Sequence, residues 1–581
     1  MSRKSPPIFS RKNRTGHTKR DWNARDNVRT RLIAALLVIV TGLSTCYGEN
    51  SGPLPSDLVY HAGRRPWGDS FLPKSGPSAR RLQFVDVSRL KPDARIALAC
   101  LQGLTSRRQP CLWLNVSAQD RFWLDWHVSK GHFDGYDEVA DWKTLFKQFA
   151  DAFRGAVIPD AKLYRGDLLA ANVAACEDLI VVTPELAKDL GLPVTVDLRG
   201  RFTTFADGLE WLWVTYKDRL NHHLCDYVYP PWLAKGAFAY SLQWRAPMIW
   251  IAGRVDAAQT GTDMARETKL VAGIFAQLAP NTAVIGFPAG GKGIGPGEVN
   301  GVALASRYAH PLVCTNYLAN ACITSAVVIP KLEQPRQAPA PPLERDKIYI
   351  ALNVSDGDNQ NCWLAFYKER YFEQKRFGEF PLAFGMGPPI LDLQPGRAQW
   401  YFEHAKPNTE FIADVSGIGY MHPDDYGSAF TAPDVVLDGF LDWTRCYMER
   451  LGMRTVRPVK GEDAVLARFA RQIPRMHSIF ADMGRYSGRS GIENLTRALP
   501  SGMPLFRSVT SWRYGKEGML KEIREQVGKS RPALVNGFVH CWTFNDLKIL
   551  AGIYDARDKD MVFVTPTQLA ELYRQARQRG W

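Results

Sequence analysis

Four carboxylates stand where runs of strand-forming residues give way to turn formers. They are Asp356 and Asp358 in Ser355-Asp356-Gly357-Asp358-Asn359, Asp414 ahead of Val415-Ser416-Gly417, and Asp482 after His477–Ala481. Paired carboxylates supply an acid with a base or nucleophile for cleaving a glycosidic bond. The same segment ends carry groups that suit a polyhydroxylated ligand: Asn359, Tyr420, His422, Tyr486, Trp512, His540, Trp542 and Asn545. Amides and imidazoles grip hydroxyls, and aromatic rings stack on the apolar face of a pyranose. We take the four aspartates as candidate catalytic groups and the other eight as candidate substrate contacts, with Asp356 and Asp358 first.

Plainer readings exist. Asp356 and Asp358 could cap a following helix, and Gly357, Gly417 and Gly419 could serve only tight turns. No cofactor is expected for two-carboxylate chemistry, although Asp356, Asp358 and Asn359 would offer hard oxygen ligands to a divalent ion. With His540 or His422 such an ion would give a metal-dependent carbohydrate deacetylase instead. A carbohydrate is the expected partner under each reading.

The elements that must position these residues follow from periodicity. Strand-like runs at Ile348–Val354, Leu382–Gly385, Glu410–Val415, Thr455–Val459, His477–Ala481, Leu505–Thr510, Ala533–His540 and Met561–Thr565 alternate with helical stretches such as Pro433–Leu451 and Gln568–Gln578. Eight β/α units predict a C-terminal TIM-like (β/α) barrel over 346–581, with an irregular seven-stranded barrel as competitor. In such a fold reactive groups lie after the strands, which is where the aspartates fall. Shorter strands and helices over 81–329 predict an N-terminal α/β region of two or three small subdomains. Prolines 335, 339, 341 and 342 mark 330–345 as an extended linker, and 49–80 reads as a flexible approach.

The formal charge of +14 is concentrated at the start: ten Lys or Arg against Asp21 and Asp26 precede Glu49. With eight of the fourteen excess charges there, only about +6 spread over the rest of the chain and no basic-aromatic stripe elsewhere, nucleic acid is not expected as a partner. Residues 1–48 read as a leader, with Arg31 flanking the apolar run Leu32–Val40 and small or polar residues to Gly48, a signal peptide pattern that predicts export. The run is short for a membrane span. Membrane contact is expected only through an uncleaved leader or a lipid on Cys46. Nine scattered cysteines remain after Gly48, with no CxxC pair; they read mostly as buried hydrophobes, with room for one or two bridges.

Two segments in order carry a resemblance. Gly417-Ile418-Gly419-Tyr420-Met421-His422-Pro423 resembles the motif of the GxGYxYP putative glycoside hydrolases, and Ser355–Asn359 is similar to that family's acidic strand end. Ala97–Leu104 also resembles the family's N-terminal region. His422 stands where the pattern has its second Tyr, so no role of that phenol carries over. The resemblance implies glycoside hydrolysis; a non-catalytic surface glycan-binding protein is the alternative from another class. Gly286–Lys292 has P-loop spacing, but Gly293 replaces the Ser or Thr that would hold Mg²⁺, leaving a glycine-rich loop. His222-His223 lacks the i, i+4 spacing of helical metal ligands.

Overall fold

The structure is a computed structural model and describes residues 65–229, 233, 236–355, 360–459, 461–481, 496–510 and 515–581. The expected leader, residues 1–48, lies outside these residues. Strands of two to six residues, alternating with helices, can build only narrow sheets, and the N-terminal part has three, each purely parallel. β1 (Arg81–Asp86), β2 (Leu112–Asn115) and β3 (Gly135–Glu138) run in the order β2-β1-β3. β4 (Gly155–Ile158), β5 (Leu179–Val181) and β6 (Val194–Asp197) run as β5-β4-β6. The third sheet holds β7 (Leu224–Tyr227), β8 (Met248–Ile249), β9 (Ala283–Gly286) and β10 (Leu312–Val313) in the order β10-β9-β7-β8. Between β9 and β10 lies α1 (Glu298–Arg307).

The remaining strands form one sheet. They are β11 (Ile348–Ser355), β12 (Leu382–Met386), β13 (Thr409–Asp414), β14 (Thr455–Arg457), β15 (Ser478–Phe480), β16 (Thr496–Ala498), β17 (Pro504–Phe506), β18 (Ser508–Thr510), β19 (Ala533–His540) and β20 (Met561–Phe563). Their order is β16-β17-β15-β14-β13-β12-β11-β19-β18, parallel except for β16 against β17, with β20 beside β11. The eight expected strands all form, but a regular eight-unit TIM barrel is not what they make. β20 pairs only with Ile348–Ile350, while β12 takes the same edge of β11 at Asn353 and Val354. The expected sixth strand is divided at Arg507: β17 pairs with β15 and β18 with β19. The result is a curled, parallel-dominated sheet in a mixed α/β chain.

Helices α2 (Asn361–Ala365), α3 (Pro433–Arg450) and α4 (Pro566–Gln578) matter most for the site. Thr565 starts α4 with a capping box, accepting from the Gln568 backbone while Gln568 Oε1 accepts from the Thr565 backbone. Leu569, Ala570, Leu572, Tyr573 and Ala576 of α4 join Tyr349, Ala351, Ala383, Ile412, Phe480, Phe506 and Leu534 in one buried cluster. One helix can touch strands that far apart in the sheet order only if the sheet curls around it. Each fully buried Leu there contributes roughly 1.5–3 kcal/mol.

The proline-rich segment is an ordered strap. Gln334 pairs with both backbone groups of Phe411, Gln337 donates to Glu410, and Gln568 Nε2 donates to the carbonyls of Ala338 and Pro339. Glu410 at the start of β13 also accepts from Thr567 of α4. Strap and helix therefore cover the end of the sheet where β13 begins.

Candidate functional site

Alternation along the strands defines the layer beyond the apolar cluster. On the face that carries Tyr349 and Ala351, β11 next presents Asn353 and Ser355. On that of Leu534, β19 presents Asn536, Phe538 and His540; after Ile412 comes Asp414, and after Ala383 comes Gly385. The interior thus turns from apolar to polar toward the strand ends. Asn536 Nδ2 donates to Ser508 Oγ at 2.6 Å, and Ser508 Oγ donates to the Ala481 carbonyl at 3.0 Å. The side-chain amide of Asn353 is fully buried, and neither of its polar atoms has a hydrogen-bond partner among the described residues. Such a group costs about 1–3 kcal/mol unless something binds it, an expense more in keeping with a site than with a core.

Asp414 ends β13 opposite Arg457 in β14, and Arg457 Nε lies 2.8 Å from Asp414 Oδ1 with both side chains 1% exposed. The carboxylate occupies the space a side chain at 385 would need: a Cβ on Gly385 would meet Asp414 Oδ2 at 2.0 Å. The Arg457 guanidinium also lies over the Phe538 ring, 4.9 Å from its centre. Because β13, β12 and β11 lie between β14 and β19 in the sheet, that contact spans the hollow of the curl. Arg457 was not anticipated, although a cation inside a buried-strand run, Thr455-Val456-Arg457, was a readable signal.

The other predicted residues fall into three groups. Half-buried His540 stands in register with Ser355 and has Nδ1 2.8 Å from Thr543 Oγ1. Trp542 is exposed with its ring edge-on to Phe366, and Asn545 is exposed on the turn before Asp546, which caps the next helix. Asp356, Asp358, Asn359, Asp482, Tyr486 and Trp512 lie outside the described residues. Tyr420 and His422 form the third group and turn toward the N-terminal part of the chain.

Tyr420 pairs in both directions with the Leu312 backbone of β10, and its buried phenol donates to Glu298 Oε1 at 2.9 Å in the first turn of α1. The His422 backbone donates to Ser306 Oγ, and the Gly427 and Ala429 backbones donate to the carbonyls of Ser306 and Arg307. Each motif glycine fits a close approach. A Cβ on Gly417, whose φ is +128°, would meet Thr444 of α3 at 2.6 Å, and one on Gly419 would meet Pro311 and the Leu312 carbonyl within 3 Å. The motif is thus a strap between the curled sheet and the third N-terminal sheet. Glu298, absent from the sequence candidates, follows the glycine-rich loop by five residues, directly after Gly297.

A second hollow lies elsewhere. A solvent-open groove of about 780 Å³ runs between the proline-rich strap, Glu410, Arg454, Arg475, His477 and α4. Its strand residues belong to strand starts, or lie just before them, so it sits away from the polar layer, and its lining is the strap's packing groove. Burial, with Arg454 and Arg574 nearby, holds the His477 imidazole below its ordinary value. No group of three or more His, Cys, Asp or Glu suited to a metal ion occurs among the described residues.

Residues 346–574 match the GxGYxYP putative glycoside hydrolase C-terminal domain and residues 153–220 the GxGYxYP_N second domain, together just over half of the chain. The chain belongs to the GxGYxYP family. A putative hydrolase from Bacteroides thetaiotaomicron shares the fold at a TM-score of 0.73 and 20% identity, over 88% of this chain and 98% of that one. The peptidoglycan deacetylase PdaC from Bacillus subtilis aligns over 41% of this chain and 98% of its own at 13% identity, but its TM-score of 0.24 carries no argument. No curated protein matches the chain. At family level, then, the chain is a putative glycoside hydrolase of mixed α/β fold.

Proposed function

We propose that this chain is an exported enzyme that hydrolyses a glycosidic bond at the strand C-terminal ends of the curled sheet. The observation that carries this reading is the change of the interior from apolar to polar along the strands, toward the end where the acidic segment follows β11. Asp356 and Asp358 are the reacting carboxylates we favour, with Asp482 as a further candidate. One carboxylic acid protonates the leaving oxygen, while a second carboxylate either activates water or attacks the anomeric carbon. Asp414, tied to Arg457, acts as a fixed charge that orients the layer beneath. His540, Asn359 and Asn545 hold sugar hydroxyls, and Trp542, Tyr486 and Trp512 offer stacking surfaces. Tyr420 and His422 hold the rim of the site through the N-terminal part.

The test is release of reducing sugar from a panel of neutral, amino and acidic glycans by the purified chain, with and without chelator. Hydrolysis that survives chelation supports two-carboxylate chemistry. Loss on chelation, restored by a divalent ion, would move the reading to metal-dependent hydrolysis or deacetylation. One observation favours a second reading, a non-catalytic glycan-binding protein: the buried Asp414 carboxylate is already committed to Arg457. Saturable glycan binding without product on any member of the panel would select it.

A further inference from the structure

Two of the nine cysteines that follow the leader meet beside the site. Cys541 directly follows β19, and its backbone N–H donates to the Ser355 carbonyl at 3.1 Å, extending the strand pairing by one residue. Cys362 lies in the first turn of α2, the helix that follows the acidic segment. Their sulfurs are 3.2 Å apart although 179 residues separate them, and both side chains are buried. A disulfide bond is roughly 2.0 Å long, so only a small movement of each side chain would join them.

We propose that Cys362 and Cys541 form a disulfide when the chain meets an oxidising thiol–disulfide donor. One cysteine loses its proton and its thiolate attacks the donor disulfide, releasing one donor thiol. The second cysteine, also deprotonated, then displaces the other donor sulfur. The chain gives up two hydrogens, the donor gains them, and one sulfur–sulfur bond replaces another. The bridge ties the helix after Asp356–Asn359 to the exit of β19 beside His540, fixing the loops of two neighbouring strands relative to each other. Export would supply such a donor, but the chemistry depends only on the geometry of the pair.

The experiment uses the full chain, reduced and unfolded in denaturant and then refolded in a buffer of glutathione and glutathione disulfide, so that the donor reaches both sulfurs before folding buries them. Both sulfurs are buried, so labelling in the native state would be silent for either outcome. The chain is therefore denatured without reductant, alkylated, digested and examined by mass spectrometry. The expected product is the Cys362 peptide joined to the Cys541 peptide, unalkylated and short of two hydrogens. In parallel, reductant should lower the melting temperature of the wild type and leave that of Cys362→Ser/Cys541→Ser unchanged. Alkylation of both cysteines, or pairing of either with a different cysteine, overturns the proposal, as does a melting temperature indifferent to reductant. A chain inactive on every glycan would leave this result untouched, so failure of the hydrolase reading and failure of the bridge are told apart.

Discussion

Three buried ionisable residues, Asp414, Arg457 and Asp226, have effects that can be stated with a sign. Asp414 and Arg457 are each sealed from solvent, so removing one takes a buried counter-charge from the other. Arg457→Met is expected to cost about 3–5 kcal/mol in chemical denaturation, with Arg457→Met/Asp414→Leu recovering part of that loss. A double variant no better than the single would show that the pair is not a unit. In the third N-terminal sheet, burial lifts the Asp226 carboxyl from 3.8 to about 6, against the opposing pull of Ser241 and Arg165. Ser241 Oγ donates to it at 2.5 Å. The folded chain keeps a proton there that the unfolded chain releases above its ordinary value. This contribution is complete below about pH 4 and lost as pH rises through about 6, amounting to roughly 3 kcal/mol. Asp226→Asn should therefore flatten the fall in stability between pH 4 and 7, and an unchanged slope would contradict the assignment.

Strand identities were legible because each strand carries its own pattern of apolar residues, and β19 begins and ends where the sequence places it. Pairing was less legible, since it depends on neighbours distant in sequence. The break at Arg507 and the half-length partnership of β20 with β11 leave no local mark. The site shows the same division. Asp414 could be read as a strand-end acid, but its commitment to Arg457 arises from register between two strands. Tyr420 could be read as a motif residue, but Glu298 lies 122 positions away. What the motif does follows from packing, and it yields a prediction. Gly419→Val would force β10 and the motif loop apart, since even a Cβ there meets Pro311 and Leu312. It should destabilise the chain by about 1–3 kcal/mol and expose the contact between the loop and α1 to proteolysis. A variant with unchanged stability and cleavage would show that the strap is dispensable.

At the scale of the molecule, the family's C-terminal domain is not self-contained. Its motif loop is paired with β10 and α1, and the strap ahead of residue 346 packs against β13 and α4. Residues 346–581 expressed alone are expected to aggregate or to melt well below the whole chain, whereas adding 330–345 should restore the strap contacts but not those of the motif loop. An isolated half as stable as the whole would refute this dependence. No helix among the described residues is long and apolar enough to cross a membrane. Asn353, Ser355, Asp414, Asn536 and His540 form the polar layer at the strand C-terminal ends of the curled sheet, and in sequence β11 leads directly into Asp356–Asn359. The most direct measurement is turnover of a cleaved glycan by Asp356→Asn and Asp358→Asn beside the wild type, with melting temperature and glycan affinity recorded for each. The predicted result is a fall in kcat of about 100-fold or more in at least one variant, with folding and glycan binding retained; wild-type turnover in both would contradict it.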